Sequence, residues 1–213
     1  MPDVAVVIFD LGNVIVRVSH REMAAALAAG SADPRFQDPA YALGVAFDDA
    51  RGLTVAYDEG RLSTAEFYRA AIERMSLSIG PEEFARRWNT SFREQTDVSA
   101  IVRGLHGRYR LFLLSNTNEL HYRHLERELP VLALMEQRLL SFQLGMRKPL
   151  RAVYERVISL AGVTPERIVY IDDIPAYTQA AAQLGVQAIT FESAAQLREA
   201  LRARGVAVTA APE

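Results

Sequence analysis

The stretch Val4-Ala5-Val6-Val7-Ile8-Phe9-Asp10-Leu11-Gly12 decides the fold of this chain. Its apolar run is rich in β-branched residues and too short for a free-standing helix, so it fits a strand buried on both faces. The run stops on an acid, Asp10, and then on Gly12. In open α/β sheets the carboxyl ends of parallel strands border the crevice where ligands bind. A single strand end of this kind is also an ordinary polar terminus. Recurrence downstream separates the two.

The pattern recurs twice. Tyr109 to Leu114 is a second buried strand ending on Ser115 and Asn116, and Arg167 to Ile171 is another ending on Asp172 and Asp173. Leu139 to Phe142 and Val186 to Phe191 supply two shorter strands. Helices alternate with them. Asp97 caps one through Leu105, Glu119 to Leu129 is a second, and Pro149 takes the first helical position of one running to about Leu160. Two more follow, from Asp173 to Leu184 and from Ser193 to Arg204. This rhythm predicts a parallel sheet with right-handed crossovers.

The stretch between the first two strands reads differently. Leu11 to Val18 is a turn and a short extended flap. Ser19 with Glu22 forms a capping box for a helix to Gly30, and Ser31 to Pro39 is loop. Tyr41 to about Ala50 is helical, Ser63 with Glu66 caps a helix to about Met75, and Gly80-Pro81 opens another carrying Phe84 and Trp88 on one face. The expected architecture is α/β: a Rossmann-like parallel sheet flanked by helices, with a small all-helical cap inserted after the first strand. The core comprises residues 1–15 and 97–213, and the cap residues 16–96.

Composition narrows the function. Half of the 213 residues are apolar and 23% are charged, which suits a soluble globule with a sizeable core. A net charge of −2 gives no electrostatic footprint for nucleic acid or an anionic membrane surface. There is no apolar run of about 18 residues and no signal-peptide pattern. The absence of cysteine excludes disulfides and thiolate metal sites and fits a cytoplasmic protein. Of 24 Lys plus Arg, Lys148 is the only lysine. A chain that otherwise uses arginine keeps a lysine where a compact ammonium is required.

In a parallel sheet, Asp10, Ser115 with Asn116, and Asp172 with Asp173 all fall at one edge, and Lys148 lies in sequence between the last two. Converging carboxylates repel one another unless a cation compensates them. Oxygen-only ligands point to Mg²⁺, and a cationic pocket suits an anionic substrate, a phosphoryl group being the obvious one. Other roles exist for these residues taken singly: Ser115 as a helix N-cap, Asp173 as a cap for the following helix, Lys148 as a solvated surface lysine.

The chain resembles the haloacid dehalogenase-like hydrolase superfamily, and most closely its α-D-glucose-1-phosphate phosphatase-like group. The motifs that carry the resemblance are Phe9 to Val16 (FDLGNVIV), Leu114 to Asn118 (LSNTN), Leu144 to Pro149 (LGMRKP), Ile171 to Asp173 (IDD) and Ala181 to Gly185. Their order spans nearly the whole chain. The resemblance implies a Mg²⁺-dependent phosphatase acting on a small-molecule phosphate ester, with Asp10 as nucleophile forming an aspartyl-phosphate. It further implies metal ligation by Asp10, the Gly12 carbonyl, Asp172 and Asp173. Phosphoryl oxygens would be held by Ser115 and the backbone N–H of Asn116, with Lys148 neutralising their charge.

This chain departs from the family at several positions. Most superfamily phosphatases carry a second aspartate, the general acid–base, two residues after the nucleophile; here that position is Gly12. The glucose-1-phosphatase-like group shares this form. Relatives there often have further acids nearby, where this chain has Arg17, Val18 and Ser19. Tyr177 replaces a common asparagine, and Ile174 and Pro175 are also unusual. Gly12 itself could occupy a backbone conformation open only to glycine. His20 and Arg17 are near enough in sequence to stand in for the acid, though helix-terminal polar residues need no such role. Two other functions compete: a phosphate-binding or interaction protein that has lost turnover, and metal-free haloacid dehalogenation, which the Asp172–Asp173 pair opposes.

Overall fold

The structure is a computed structural model that describes residues 3–47 and 52–208. Its strands are β1 (Val6–Phe9), β2 (Val16–Arg17), β3 (Arg93–Glu94), β4 (Arg110–Ser115), β5 (Gln137–Leu140), β6 (Ile168–Asp172) and β7 (Gln187–Thr190). Five of them form one wholly parallel sheet in the order β5-β4-β1-β6-β7. β1 lies at its centre, with Phe9 opposite Leu113 on one side and Ile171 on the other.

The period-two alternation of the central strands divides the core into two layers. Val7, Phe9, Leu111, Leu113, Val169 and Ile171 face one way. There they meet α6 (Thr96–Leu105), α7 (Glu119–Glu128) and α11 (Ala194–Arg202). Val6, Ile8, Phe112, Leu114, Ile168 and Tyr170 face the other way, against α9 (Arg151–Ala161) and α10 (Pro175–Ala182). Both faces are covered, which is why β1 carries no polar residue until Asp10.

Between β2 and β3 the chain forms α1 (His20–Ala28), α2 (Pro39–Phe47), α3 (Leu53–Asp58), α4 (Thr64–Arg74) and α5 (Pro81–Trp88). Their apolar faces make a separate core around Met23, Leu27, Tyr57, Phe67, Phe84 and Trp88. The Ser63–Glu66 capping box is complete, each side chain bonding the other's backbone N–H. Ser19 accepts from the Glu22 N–H, but the Glu22 carboxylate reaches Arg93 at 3.4 Å. Residues 48–50, the end of the helix expected from Tyr41, lie outside the described residues.

The structure corrects several expected boundaries. The expected flap is extended at Val16–Arg17, and it gains an antiparallel partner, β3, where no strand was expected. α3 is an additional helix, and Pro34–Gln37 is a 3₁₀ turn within the expected loop. Asp97 does not cap α6. The N-cap is Gln95, pinned by its N–H to Ile15 O and by its side chain to Asn13 O and Val14 O, and Asp97 falls in the first turn. Strand β5 ends at Leu140 because the Ser141 hydroxyl bonds both N–H and C=O of Thr117, and the short helix α8 (Ser141–Leu144) follows. Pro149 precedes α9 instead of opening it: a turn from Arg147 O to Leu150 N intervenes, and Leu150 is the N-cap.

Candidate active site

The strand ends converge. One oxygen from each of Asp10, Asp172 and Asp173 lies within 4.8 Å of the others. Asp10 follows β1, held by its N–H to Ile171 O. Asp172 is the last residue of β6 and fully buried; its Oδ1 accepts from the Ile174 N–H at 2.9 Å and its Oδ2 from the Tyr170 hydroxyl. Asp173, less buried, accepts from Asn13 Nδ2 at 3.2 Å. It does not cap α10, whose N-cap is Ile174.

Lys148 is only 3% exposed, so it is no surface lysine. Its Nζ donates to Asp10 Oδ1 at 2.8 Å, Asp172 Oδ2 at 2.6 Å and Leu114 O at 3.2 Å. Three tetrahedral donors of a compact ammonium are thereby used in three directions, which a planar guanidinium cannot reproduce. Burial alone would lower the Lys148 pKa, but the charges of Asp10 and Asp172 outweigh it and hold the ammonium protonated. Asp10 is pushed up to about 7, chiefly by burial, with Lys148 opposing and Asp172 adding to the rise. One ammonium serving two carboxylates cannot satisfy both.

Ser115 ends β4 and is buried; the N-cap of α7 is Asn118, so Ser115 does not cap that helix. The Asn116 side chain grips the Lys148 backbone on both sides, Nδ2 donating to Lys148 O and Oδ1 accepting from Lys148 N–H. The same Nδ2 donates to the Tyr177 hydroxyl at 3.3 Å, and the Tyr177 ring lies 5.1 Å from Lys148 Nζ. Tyr177 thus buttresses the lysine. Gly12 has an ordinary φ; the left-handed residue is its neighbour Asn13, at φ 55°. The Gly12 carbonyl accepts no backbone hydrogen bond among the described residues.

These groups form part of the wall of a cavity of about 330 Å³. His20 joins them there, its ring against Phe47, whereas Arg17 is exposed on β2. Sequence reasoning missed further residues of the wall, among them Asp58, Trp88, His121 and Arg147. Asp58 offered one signal. It is an acid at the last position of α3, where the dipole disfavours negative charge, a conflict that becomes visible only once the structure shows that helix.

A parallel sheet with a polar cluster at the carboxyl edge of its central strand, preceded by the FDLGN stretch, defines a hydrolase class. The chain belongs to the haloacid dehalogenase-like hydrolases, whose family model matches residues 4–185. It is 26% identical over 204 residues to D-ribitol-5-phosphate phosphatase of Bacteroides thetaiotaomicron, covering 92% of this chain and 95% of that protein. Among solved structures it is similar to a HAD family enzyme of Bacteroides thetaiotaomicron in complex with magnesium and inorganic phosphate. That match has a TM-score of 0.77 at 22% identity, over 89% of this chain and 94% of the other. L-2-haloacid dehalogenase of Xanthobacter autotrophicus shares the fold at a TM-score of 0.61 and 15% identity, over 96% and 84% of the two chains. No helix among the described residues is long and apolar enough to cross a membrane.

Proposed function

We propose that this hydrolase is a Mg²⁺-dependent phosphatase of a small, sugar-type phosphate monoester. The observation that carries the proposal is the charge of the converged cluster. Three carboxylates within 4.8 Å and one bridging ammonium leave a formal charge of −2, on hard oxygen donors, which fits one divalent cation. Asp10, the Gly12 carbonyl, Asp172 and Asp173 would hold it; among the described residues Asp172 Oδ1 is engaged by the Ile174 N–H alone and keeps a lone pair. Mg²⁺ held there would supply positive charge against the negative charge developing on the phosphoryl group.

In this scheme Asp10 attacks phosphorus in line; the P–O bond to the leaving group breaks as the bond to the carboxylate forms. Water then hydrolyses the aspartyl-phosphate, releasing inorganic phosphate and restoring Asp10. Lys148, already on Asp10 Oδ1, stabilises charge on the transferring group, and Ser115 with the Asn116 N–H orients its oxygens. Residues 16–96 act as a cap that covers the leaving group and excludes water. The name of the ribitol phosphatase relative supports the substrate class. Metal-free dehalogenation is disfavoured, because uncompensated carboxylates beside an attacking carboxylate oppose it.

The test is hydrolysis of p-nitrophenyl phosphate, with 2-chloropropionate run in parallel. EDTA should abolish phosphatase turnover, Mg²⁺ should restore it, and Ca²⁺ should substitute poorly, since its longer bonds and higher coordination number misplace the nucleophile. Full turnover in EDTA overturns the metal assignment. Binding of phosphate without turnover on any ester identifies a protein that has lost catalysis.

A further inference from the structure

Away from the carboxylates the cavity carries a second polar group for which phosphoryl transfer has no use. His121, in α7, is its best-defined member. Asn89 Nδ2 donates to Ala85 O at 2.9 Å, so the Asn89 atom facing His121 Nδ1 at 2.9 Å is the oxygen, which can only accept. Nδ1 therefore carries the ring proton, and Nε2 presents a lone pair. The ring is clamped face to face with Trp88 and edge-on to Phe92, both with centroids 4.9 Å away, and the His121 N–H is tied to Asn118 Oδ1. Burial, with the nearby charges of His20 and His124, pushes its pKa down to about 3, so it stays a neutral acceptor. No protein donor reaches Nε2 among the described residues, and the ring lines the cavity.

Asp58 is the second acceptor. Its Oδ1 accepts from Asn118 Nδ2 at 3.1 Å and its Oδ2 lies 3.9 Å from Arg147 Nη2. Asn118 thus ties the Asp58 carboxylate and the His121 backbone N–H together, one through each end of its amide.

We propose that His121 Nε2 and the Asp58 carboxylate form an acceptor pair that selects an uncharged, polyhydroxylated leaving group by receiving its hydroxyl hydrogens. This deepens the phosphatase reading and rests on it. An anionic leaving group has no hydrogen to give either acceptor, and the Arg147 guanidinium offsets the Asp58 charge that would draw an ammonium. A leaving group without hydroxyls desolvates both acceptors and returns no hydrogen bond, which is how polar sites reject apolar analogues. The two residues set specificity and take no part in bond breaking.

The test compares kcat/KM for ribitol 5-phosphate and glucose 1-phosphate with that for p-nitrophenyl phosphate, whose leaving group has no hydroxyl to donate once bonded through oxygen. His121→Phe keeps the stacked ring and removes the acceptor; Asp58→Asn keeps the shape and replaces one acceptor with a donor. Each should lower the sugar-to-aryl ratio at least about tenfold. A second arm needs no turnover: the same variants are made in an Asp10→Asn background, and calorimetry compares the sugar phosphates with phenyl phosphate in Mg²⁺. The affinity ratio should fall likewise. Ratios within about twofold of the parent in both arms overturn the proposal, as does failure of both sugar phosphates to bind the Asp10→Asn protein. If His121→Phe does not fold, His121→Leu, which likewise has no acceptor, and Asp58→Asn decide. Absence of any ester hydrolysis by the parent sinks the phosphatase reading alone and leaves the binding arm to judge the acceptor pair.

Discussion

Lys148 is held by its backbone as well as its ammonium. Asn116 fixes the main chain, Tyr177 braces Asn116, and Nζ is spent on Asp10, Asp172 and Leu114. Lys148→Arg keeps the charge but offers a planar fork to three divergent acceptors. It should fold and lose at least about tenfold in kcat/KM, roughly 1.4 kcal/mol of transition-state stabilisation. Lys148→Met should be worse for the fold in EDTA, since it strands buried carboxylates. Thermal or urea unfolding should show a loss of about 3–5 kcal/mol, partly recovered on adding Mg²⁺. An arginine variant with full activity would mean that geometry at Lys148 is irrelevant. The lysine's uniqueness in the sequence singled it out, and the structure buries it. The roles of Asn116 and Tyr177 were not, because a side chain that grips a neighbouring backbone leaves no periodic trace.

Among the elements, the strands were the most legible and the helical insertion the least. Buried parallel strands announce themselves as apolar runs, and the polar residue that stops each run marks the edge where chemistry gathers. Helical periodicity shows which face of α1, α4 or α5 is buried but not against what, so Trp88 and Asp58 could not be placed from sequence on the cavity that Asp10 lines. β3 and α3, of two and six residues, are too short to carry a period at all. The junction between insertion and sheet is tight at one point. Gly60, between α3 and α4, has φ +67°, and a Cβ there would sit 2.2 Å from Phe142 O. Nearby, Thr64 bonds Glu119 and the Tyr57 hydroxyl accepts from the Leu120 N–H. Gly60→Ala combines a left-handed backbone with a clash against main chain, and should cost at least about 2 kcal/mol in urea unfolding. A variant as stable as the parent would show that the insertion shifts freely on the sheet.

At the scale of the whole molecule, one cavity joins a sheet edge rich in negative charge to two acceptors, Asp58 from the insertion and His121 from α7, and this bears on how the leaving group departs. The position two after Asp10 is Gly12, which has no proton to give, and His121, neutral with its Nδ1 proton committed to Asn89, presents only a lone pair. A leaving oxygen that receives no proton departs as an anion, so its own basicity enters the barrier. In the parent, kcat/KM should therefore fall steeply as leaving-group pKa rises. Aryl and anomeric sugar phosphates should outrun primary-alcohol phosphates of similar size. Gly12→Asp provides the internal control. Gly12 does not occupy the glycine-only conformation that its sequence left open: its φ is ordinary, and a Cβ would meet nothing nearer than Val18 Cγ2 at 3.7 Å. The variant should fold, and it should flatten the series by rescuing the poorest leaving groups most, up to about 10²–10⁴-fold, the usual contribution of a positioned acid. The series is read in kcat/KM, which ends at formation of the aspartyl-phosphate; kcat alone would be flattened by rate-limiting hydrolysis of that intermediate, which rapid quench detects. A flat series in the parent, with formation of the intermediate limiting, would assign proton donation to another cavity residue. His20, whose ring lines the same wall, is then the one to replace.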